Sequence, residues 1–261
     1  MPAHFARGVL AVLVLLLRAT ADAATIAVPD DYATIQAALD VAAPGDDVLV
    51  KDTPGPYVEQ IHFPTSGTPG AYVTLQAFPG HRPVIDGTGL VYAPLVTIDS
   101  KSWVRLIGFE IRNNRFHDLR GKNAMAITVY GTQATSISDL VIDGNEIHDC
   151  EPAPSEALAL NGNVESFQVT DNVVRDVNNI GIALIGGERD IQPDPSKVAR
   201  NGVVSGNRVT RARSIYGGGY AGGIYVDGGR DILVERNLVT ESDLGIEVGA
   251  ENGGIVAAGV T

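Results

Sequence analysis

Cysteine and aromatic side chains are scarce in this sequence. It has a single cysteine, Cys150, and aromatic residues make up only 6% of its 261 residues. One cysteine cannot form an intramolecular disulfide, so backbone hydrogen bonds and core packing must hold the fold together. Cys150 is better explained as a small buried or loop residue than as a nucleophile. The 30 glycines are more typical of a tightly turning β architecture than of a helical one.

Basic residues are also in the minority. The chain has 19 Lys and Arg against 31 Asp and Glu, which gives a formal net charge of −12. Such a charge repels nucleic acid and anionic membranes, so neither is expected as a partner. An acidic polysaccharide could still bind through a local cluster of Arg and Lys or through a bridging cation. Solubility alone would also account for the charge.

Long hydrophobic runs are confined to the N-terminus. The stretch from Gly8 to Leu17 is apolar but too short to span a bilayer. Arg7 before it and the small residues of Ala21-Asp22-Ala23 after it are typical of a signal peptide. We therefore predict a signal peptide over residues 1–23 and a secreted or periplasmic protein, a monomer without membrane insertion. No phosphate loop, dinucleotide fingerprint or Ser-His-Asp arrangement stands out, so no organic cofactor is expected.

One short phrase recurs along the chain: apolar, any, apolar, two residues, Asn, any, apolar. Its copies begin at Leu106, Leu140, Phe167, Gly202 and Ile232; the first has Phe109 in the Asn place, and the Gly202 copy is weaker. The anchor positions 109, 145, 172, 207 and 237 are 36, 27, 35 and 30 residues apart. This spacing indicates a solenoid, in which each repeat buries its apolar face against its neighbours. A leucine-rich repeat is the rival, but it requires a helix-length segment that is missing here.

Each repeat is expected to supply two strands. The first carries the Asn phrase, and the second carries an alternating pair after a small residue, as in Gly223-Ile-Tyr-Val226. We expect the Asn side chains to donate to carbonyls of the next coil and to form a structural ladder along the axis. Ile246 and Val248 are assigned to the inward face of the last second strand.

The two ends of the solenoid differ. Residues 24–45 predict a strand over 24–30 and a helix from Asp31 to about Ala43, ended by Pro44-Gly45, which would cover the open N-terminal end. The β-helix is predicted over residues 46–261. The chain stops at Thr261 as another Asn phrase begins, with no cap after it, so we expect a β-helix truncated at its C-terminus.

Four segments carry a resemblance to a known family. The segments PGDDVLV (44–50), SGTPG (66–70), RPVIDG (82–87) and GIYVDGG (223–229) resemble the secreted right-handed parallel β-helix proteins of the pectate-lyase superfamily. The similarity extends over nearly all of residues 25–261. It implies an all-β, single-stranded right-handed parallel β-helix. Such relatives include polysaccharide lyases, glycoside hydrolases and epimerases, so the resemblance implies a polysaccharide partner and leaves the reaction open.

The outward face of the second strands is the candidate site. Period-two alternation places Tyr225, Asp227 and Asn161 outward, with Glu247 beside Tyr225 on the neighbouring coil. An aromatic platform with two carboxylates is a plausible sugar site. Two long loops emerge beside this face and supply further candidates. These are His117 and Lys122 from residues 113–123, and Arg213, Tyr216 and Tyr220 from residues 211–222. The insertion over residues 186–200, which contains Glu188, leaves from the other end of the second strand and could form a second wall.

Three uses of this face compete, and a polysaccharide lyase is favoured by the resemblance alone. In a lyase, Asp227 and Glu247 would hold Ca²⁺, which neutralises the carboxylate of a uronate. Arg213 or Lys122 would then remove the C5 proton.

The other two uses need no metal ion. In a glycoside hydrolase, Asp227 and Glu247 would serve as acid and base. In a binding protein without catalysis, the tyrosines would stack on sugars and the carboxylates would only accept hydrogen bonds. Asp227 is equally well explained as a turn residue before Gly228-Gly229, and Glu247 as a solvated side chain.

Overall fold

The strands repeat in a fixed order around a common axis. The computed structural model describes residues 23–90, 94–112 and 125–261, and their strands form three sheets in which neighbouring strands run parallel. The first sheet contains, in order, β1 (Thr25–Val28), β2 (Asp47–Val50), β4 (Val73–Ala77), β7 (Val104–Ile107), β10 (Ile137–Asp143), β13 (Val164–Thr170), β16 (Arg200–Ser205) and β19 (Arg230–Glu235).

The other two sheets follow the same progression. The second sheet contains β5 (Val84–Asp86), β8 (Glu110–Arg112), β11 (Glu146–Cys150), β14 (Val173–Val177), β17 (Arg208–Ala212) and β20 (Leu238–Thr240). The third sheet contains β3 (Ile61–His62), β6 (Val96–Asp99), β9 (Ile127–Gly131), β12 (Leu158–Gly162), β15 (Ile182–Ile185), β18 (Gly222–Asp227) and β21 (Leu244–Gly249). Each strand pairs with its equivalent one coil away, so the predicted parallel β-helix is confirmed.

The Asn phrase turns a corner between two sheets. Leu140 and Ile142 lie in β10, Ile147 lies in β11, and Asn145 lies in the bend between them. The prediction of two strands per repeat is therefore wrong, because the bend divides the phrase into two strands and a coil has three. Coil stacking also starts earlier than the visible repeats, since Thr25 of β1 already pairs with Asp47 of β2.

The asparagines of the phrase form a buried column along the axis. The Oδ1 atom of Asn172 accepts hydrogen bonds from the backbone N and the Nδ2 of Asn145, at 3.0 and 3.1 Å. Its Nδ2 donates to the carbonyl of Ile142 at 3.0 Å. The same pair of contacts links Asn207 to Asn172 and Asn237 to Asn207. The ladder is present, but the carbonyls that the Nδ2 groups bond belong to the preceding coil, and their acceptor on the next coil is the Oδ1 atom of the following asparagine.

The weaker copy of the phrase has a packing explanation. Gly202 stands where the other copies have Leu140, Phe167 or Ile232. A Cβ atom at Gly202 would lie 2.1 Å from the Phe167 ring. The ring of the preceding coil therefore fills the core volume that a side chain at position 202 would need.

The N-terminal helix α1 (Ile35–Leu39) is shorter than the predicted stretch from Asp31 to Ala43. Thr34 is its N-cap, and its hydroxyl oxygen accepts the N–H of Ala37 at 3.2 Å. The helix packs against β1, β2 and β3. Its role as an end cap stays a prediction. In the described part of the chain, no helix has the length and apolar character needed to cross a membrane.

The last described coil has exposed apolar side chains on its inner side. Ile246 and Val248 pair in register with Ile224 and Val226, yet they are 49% and 53% exposed. Inward residues are covered only when another coil stacks on them. Residues 258–261 begin such stacking beside β19, where Thr261 donates to the carbonyl of Ile232 at 3.1 Å. The predicted C-terminal truncation stays a prediction.

Candidate functional site

A cavity of about 240 Å³ lies on the outer face of the third sheet. Its floor includes Ile180, Ala183 and Ile185, and small side chains such as Ala183 and Ala159 leave room beside Tyr225. The walls come from the connections between strands. Besides the floor residues and Tyr225, the cavity is lined in the described chain by Pro154, Ser155, Glu156, Asn179, Glu188, Tyr216, Tyr220, Asp227 and Glu251.

Tyr225 and Asp227 lie outward as predicted but are not on an open surface. Their side chains are only 5% and 6% exposed, because the connections around the third sheet cover them. Tyr225 pairs in register with Glu247, so the predicted neighbourhood of these two residues is present. Glu247 lies beside the cavity rather than in its described lining.

Burial changes the acidity of Asp227. Desolvation raises the pKa of its carboxyl to about 6, and repulsion from Glu251, Glu188 and Glu247 adds to the rise. The backbone N–H of Glu251 donates to its Oδ1 atom at 2.7 Å and opposes the rise. This bond joins Asp227 to the segment after β21, so the residue does more than stabilise its own turn.

Glu156 is the most strongly perturbed acid of the cavity. It lies just before β12, and desolvation raises the pKa of its carboxyl to about 8, with repulsion mainly from Glu188. Desolvation and repulsion from Glu251 also raise the pKa of Glu247. At neutral pH the cavity therefore holds a protonated carboxyl at Glu156 and a largely ionised carboxyl at Asp227.

The tyrosines of the cavity fall into two groups. Desolvation, with repulsion from Asp227, raises the pKa of the Tyr225 phenol, so its hydroxyl stays protonated and can donate a hydrogen bond. Tyr216 and Tyr220 are exposed at the rim. They flank three consecutive glycines with φ angles of 77°, 86° and 64°. The ends of this loop are fixed by Asp243, whose Oδ2 atom accepts the N–H groups of Ser214 and Ala221 at 2.7 and 3.4 Å.

The structure does not bring Arg213, one of the predicted cationic residues, into the cavity. Arg213 is exposed, and its Nε donates to the carbonyl of Glu241 at 2.8 Å, away from the described lining. His117 and Lys122 fall within residues 113–124 and lie outside the described residues. Tyr216, Tyr220, Tyr225 and Asp227 are the predicted residues that do come together.

Asn161 and Asn179 each carry a buried amide oxygen. Both side chains are almost fully buried, and among the described residues the two Oδ1 atoms have no hydrogen-bond partner. Asn161 donates through Nδ2 to Glu188 Oε2 at 2.7 Å, and Asn179 donates to the Ser155 carbonyl at 2.8 Å. Asn179 lines the cavity, so its unpartnered oxygen can accept a hydrogen bond from a ligand, whereas Asn161 lies outside the described lining.

Three residues of this site were not predicted from the sequence: Glu156, Asn179 and Glu251. All three belong to connections of irregular length, where period-two alternation says nothing about direction. Glu188 belongs to the long insertion between β15 and β16, which the sequence offered as a second wall, and it lies in the described lining of the cavity.

A calcium site gains no further ligands from this geometry. Among the described residues, no group of three or more His, Cys, Asp or Glu side chains is arranged to hold a metal ion. Calcium takes roughly six to eight oxygen ligands, whereas only Asp227 and Glu247 were expected to supply them. Calcium binding stays a prediction, and no chemical step is derived through it.

Comparison with solved structures identifies the architecture. The alginate lyase from Paenibacillus sp. str. FPU-7 matches 89% of this chain and 83% of its own, with a TM-score of 0.65 and 17% identity. A polygalacturonase from Erwinia carotovora ssp. carotovora matches 87% of this chain and 67% of its own, with a TM-score of 0.57 and 12% identity. The chain has the fold of the pectate-lyase superfamily. Identities this low show the fold alone.

A curated relative from Bacillus subtilis (strain 168), the uncharacterized protein YwoF, is 34% identical over 263 residues. The match covers 85% of this chain and 55% of YwoF, so the chain spans about half the length of that relative. No protein-family model matches the chain.

Proposed function

We propose that this protein is a carbohydrate-active enzyme that cleaves a glycosidic bond in the cavity, with Glu156 as general acid and Asp227 as its carboxylate partner. The observation that carries the proposal is that both carboxyls line one cavity, where burial and mutual repulsion raise their pKa values to about 8 and about 6. Two carboxyls in different protonation states are the usual requirement for glycoside hydrolysis. Glu156 would protonate the leaving oxygen, while Asp227 activates water or attacks the sugar.

The other cavity residues suit sugar binding. Tyr216 and Tyr220 at the rim offer aromatic faces for stacking, and the Tyr225 hydroxyl offers a donor. The apolar floor at Ala183 and Ile185 suits the less polar face of a sugar ring. A shallow polar depression adjoins the cavity at Glu188 and continues to Arg189 and Asn252, which gives room for further sugar units.

β-Elimination, the reaction predicted from the sequence, has less support from this geometry. It needs a group that neutralises the uronate carboxylate and a base that removes the C5 proton. The described lining contains no Lys, Arg or His side chain. A lyase would have to take these groups from His117 and Lys122, or move Arg213 away from the Glu241 carbonyl.

Product analysis with a panel of polysaccharides tests the proposal. We expect new reducing ends without unsaturated ends, and we expect Glu156→Gln and Asp227→Asn each to lower kcat by at least about 100-fold. The surface substitution Glu235→Gln serves as the control and should leave turnover unchanged. Unsaturated ends would instead establish the lyase, and retention of a polysaccharide without any product would reject catalysis.

The pH dependence of the rate provides a second test. Activity should fall below about pH 6 as Asp227 becomes protonated, and above about pH 8 as Glu156 loses its proton. In Glu156→Gln the residual activity should no longer fall above about pH 8. A rate that rises steadily through pH 9 would contradict the assignment of Glu156 as the acid.

Export is part of the proposal. The predicted cleavage after Ala23 is supported by the position of Ala24, whose backbone N donates to Asp46 Oδ1 at 2.7 Å and whose carbonyl accepts from Asp47. Mass spectrometry of protein recovered from the periplasm or the medium should show Ala24 as the first residue. Retention of residues 1–23 in the recovered protein would reject the signal peptide.

A further inference from the structure

We propose that the cavity selects a sugar that carries no negative charge, and that the amide oxygen of Asn179 accepts a hydrogen bond from one of its hydroxyl or ammonium groups. This inference rests on the proposed function and specifies its substrate class. It excludes uronates and sulfated sugars as the unit bound in the cavity, although the overall fold is shared with proteins named for acidic polysaccharides.

The first argument is the excess of acceptors. Asn179 lines the cavity and is 3% exposed, and its Oδ1 atom has no partner among the described residues. Leaving a buried acceptor unsatisfied costs free energy, which a ligand recovers only by supplying a donor. A carboxylate or a sulfate supplies acceptors, whereas a hydroxyl or an ammonium group supplies donors.

The second argument is that the Asn179 amide is fixed in orientation. Its Nδ2 donates to the backbone carbonyl of Ser155. That carbonyl can only accept, so rotating the amide by half a turn would place oxygen against oxygen. The unpartnered Oδ1 atom therefore stays an acceptor when a ligand enters.

The third argument is charge. The ionisable lining contributed by the described residues consists of Glu156, Glu188, Asp227, Glu251 and tyrosines, without a cationic side chain. Burial first, and repulsion from Glu188, Asp227 and Glu251 second, already raise the pKa of the Glu156 carboxyl. A uronate would add one more negative charge to a partly desolvated site, where charges are poorly screened.

Arg189 does not reverse this balance. It is exposed, it lies in the adjoining depression together with Asp190, and it is absent from the cavity lining described above. An acidic unit could therefore lie in the depression, while the unit in the cavity stays neutral or cationic.

A binding measurement on the full chain tests the inference. The probe is a glycan array with neutral, free-amine and uronate oligosaccharides of several linkages, applied to Glu156→Gln so that bound glycans are not cleaved. High salt screens the net charge of the whole protein and leaves local recognition. We expect retention of neutral or free-amine glycans, with affinities for matched uronates at least about tenfold weaker.

Two substitutions then locate the interaction. Asn179→Leu removes the amide oxygen at nearly constant volume and should weaken binding of the retained glycan roughly tenfold. Asn163→Leu is the matched control, because Asn163 is also buried but both ends of its amide are bonded, to Gln133, Ala134 and Arg200. It should lower stability without weakening binding of the glycan. Equal losses of affinity in both variants would overturn the role of Asn179.

The outcomes separate this inference from the proposed function. Preferential retention of uronates, with catalysis still dependent on Glu156 and Asp227, would overturn the charge selectivity and leave the hydrolase intact. If no glycan is bound or cleaved, the result rejects the proposed function and, with it, this inference.

Discussion

At the scale of single residues, Glu156 and Asp227 show that surroundings decide what a carboxyl can do. Both side chains are ordinary acids in the sequence, and neither belongs to a recognisable catalytic motif. In the fold Asp227 is buried and Glu156 is partly buried, and Glu188 and Glu251 line the same cavity. Desolvation is the main cause of both raised pKa values, with mutual repulsion second. The difference in protonation at neutral pH, with Glu156 protonated and Asp227 largely ionised, follows from these surroundings.

The raised pKa of Glu156 also makes a prediction about stability. Its carboxyl titrates near 4.5 when unfolded and near 8 when folded, so the folded state binds the extra proton between these values. The free energy of unfolding should therefore fall as pH rises from about 4.5 to about 8. Glu156→Gln removes this loss, and we expect its melting temperature to exceed that of the unsubstituted protein by several degrees at pH 9.

Thermal melts at pH 4.5 and pH 9 check this prediction. At pH 4.5 the advantage of Glu156→Gln should be much smaller. Glu235→Gln, a substitution at the surface, is the control for the general effect of replacing a carboxyl with an amide. An equal gain at both pH values would show that the ionisation of Glu156 does not oppose folding.

At the scale of elements, the bend between the first and second sheets depends on the asparagine ladder. Asn172→Ala would leave the backbone N–H of Asn145 and the carbonyl of Ile142 without their partners. Each unsatisfied buried group costs about 1–3 kcal/mol. We expect the substitution to lower the free energy of unfolding by about 2–4 kcal/mol, measured by urea denaturation.

Asn237→Ala is the matched control for the ladder. Asn237 is partly exposed at the other end of the column, where water can replace its hydrogen bonds. Asn237→Ala should lower the free energy of unfolding by less than half as much as Asn172→Ala. Equal losses in the free energy of unfolding would show that each asparagine stabilises only its own bend, and that burial in the column adds nothing.

A second element-scale prediction concerns the contact between Gly202 and Phe167. Gly202→Ala places a methyl group against the Phe167 ring and should cost about 1–3 kcal/mol through overpacking. Phe167→Leu alone leaves a void and is also destabilising. In the double variant the methyl group occupies part of that void, so its cost should be smaller than the sum of the two. A double-mutant cycle from urea denaturation measures this coupling, and strict additivity would contradict it.

At the scale of the whole molecule, stability must come from stacked coils without covalent links. Cys150 is buried within the core cluster and is not in a disulfide. A thiol reagent should therefore modify it only after unfolding, and a reductant should leave the melting temperature unchanged. Rapid modification of the native protein, measured by the absorbance of the released thiol dye, would show that the coil opens locally near β11.

Much of the architecture could be predicted from the sequence because a solenoid is a one-dimensional pattern. The Asn phrase, the alternating pairs and the outward positions of Tyr225, Asp227 and Asn161 all follow from local spacing. The number of strands per coil could not be predicted in the same way. A bend at Asn145 and a continuous strand share the same apolar spacing, and only the pairing of β11 with β14 distinguishes them.

The sequence by itself determined the fold, the ladder and the sheet face on which the candidate site lies. These features depend on periodic contacts between neighbouring repeats, and the spacing of residues in the sequence gives the period directly. Tertiary structure alone brought Glu156, Asn179, Glu188 and Glu251 to Asp227, and it left Arg213 outside the cavity. Irregular connections carry no period, so their direction and the resulting desolvation are fixed only when all the coils are stacked.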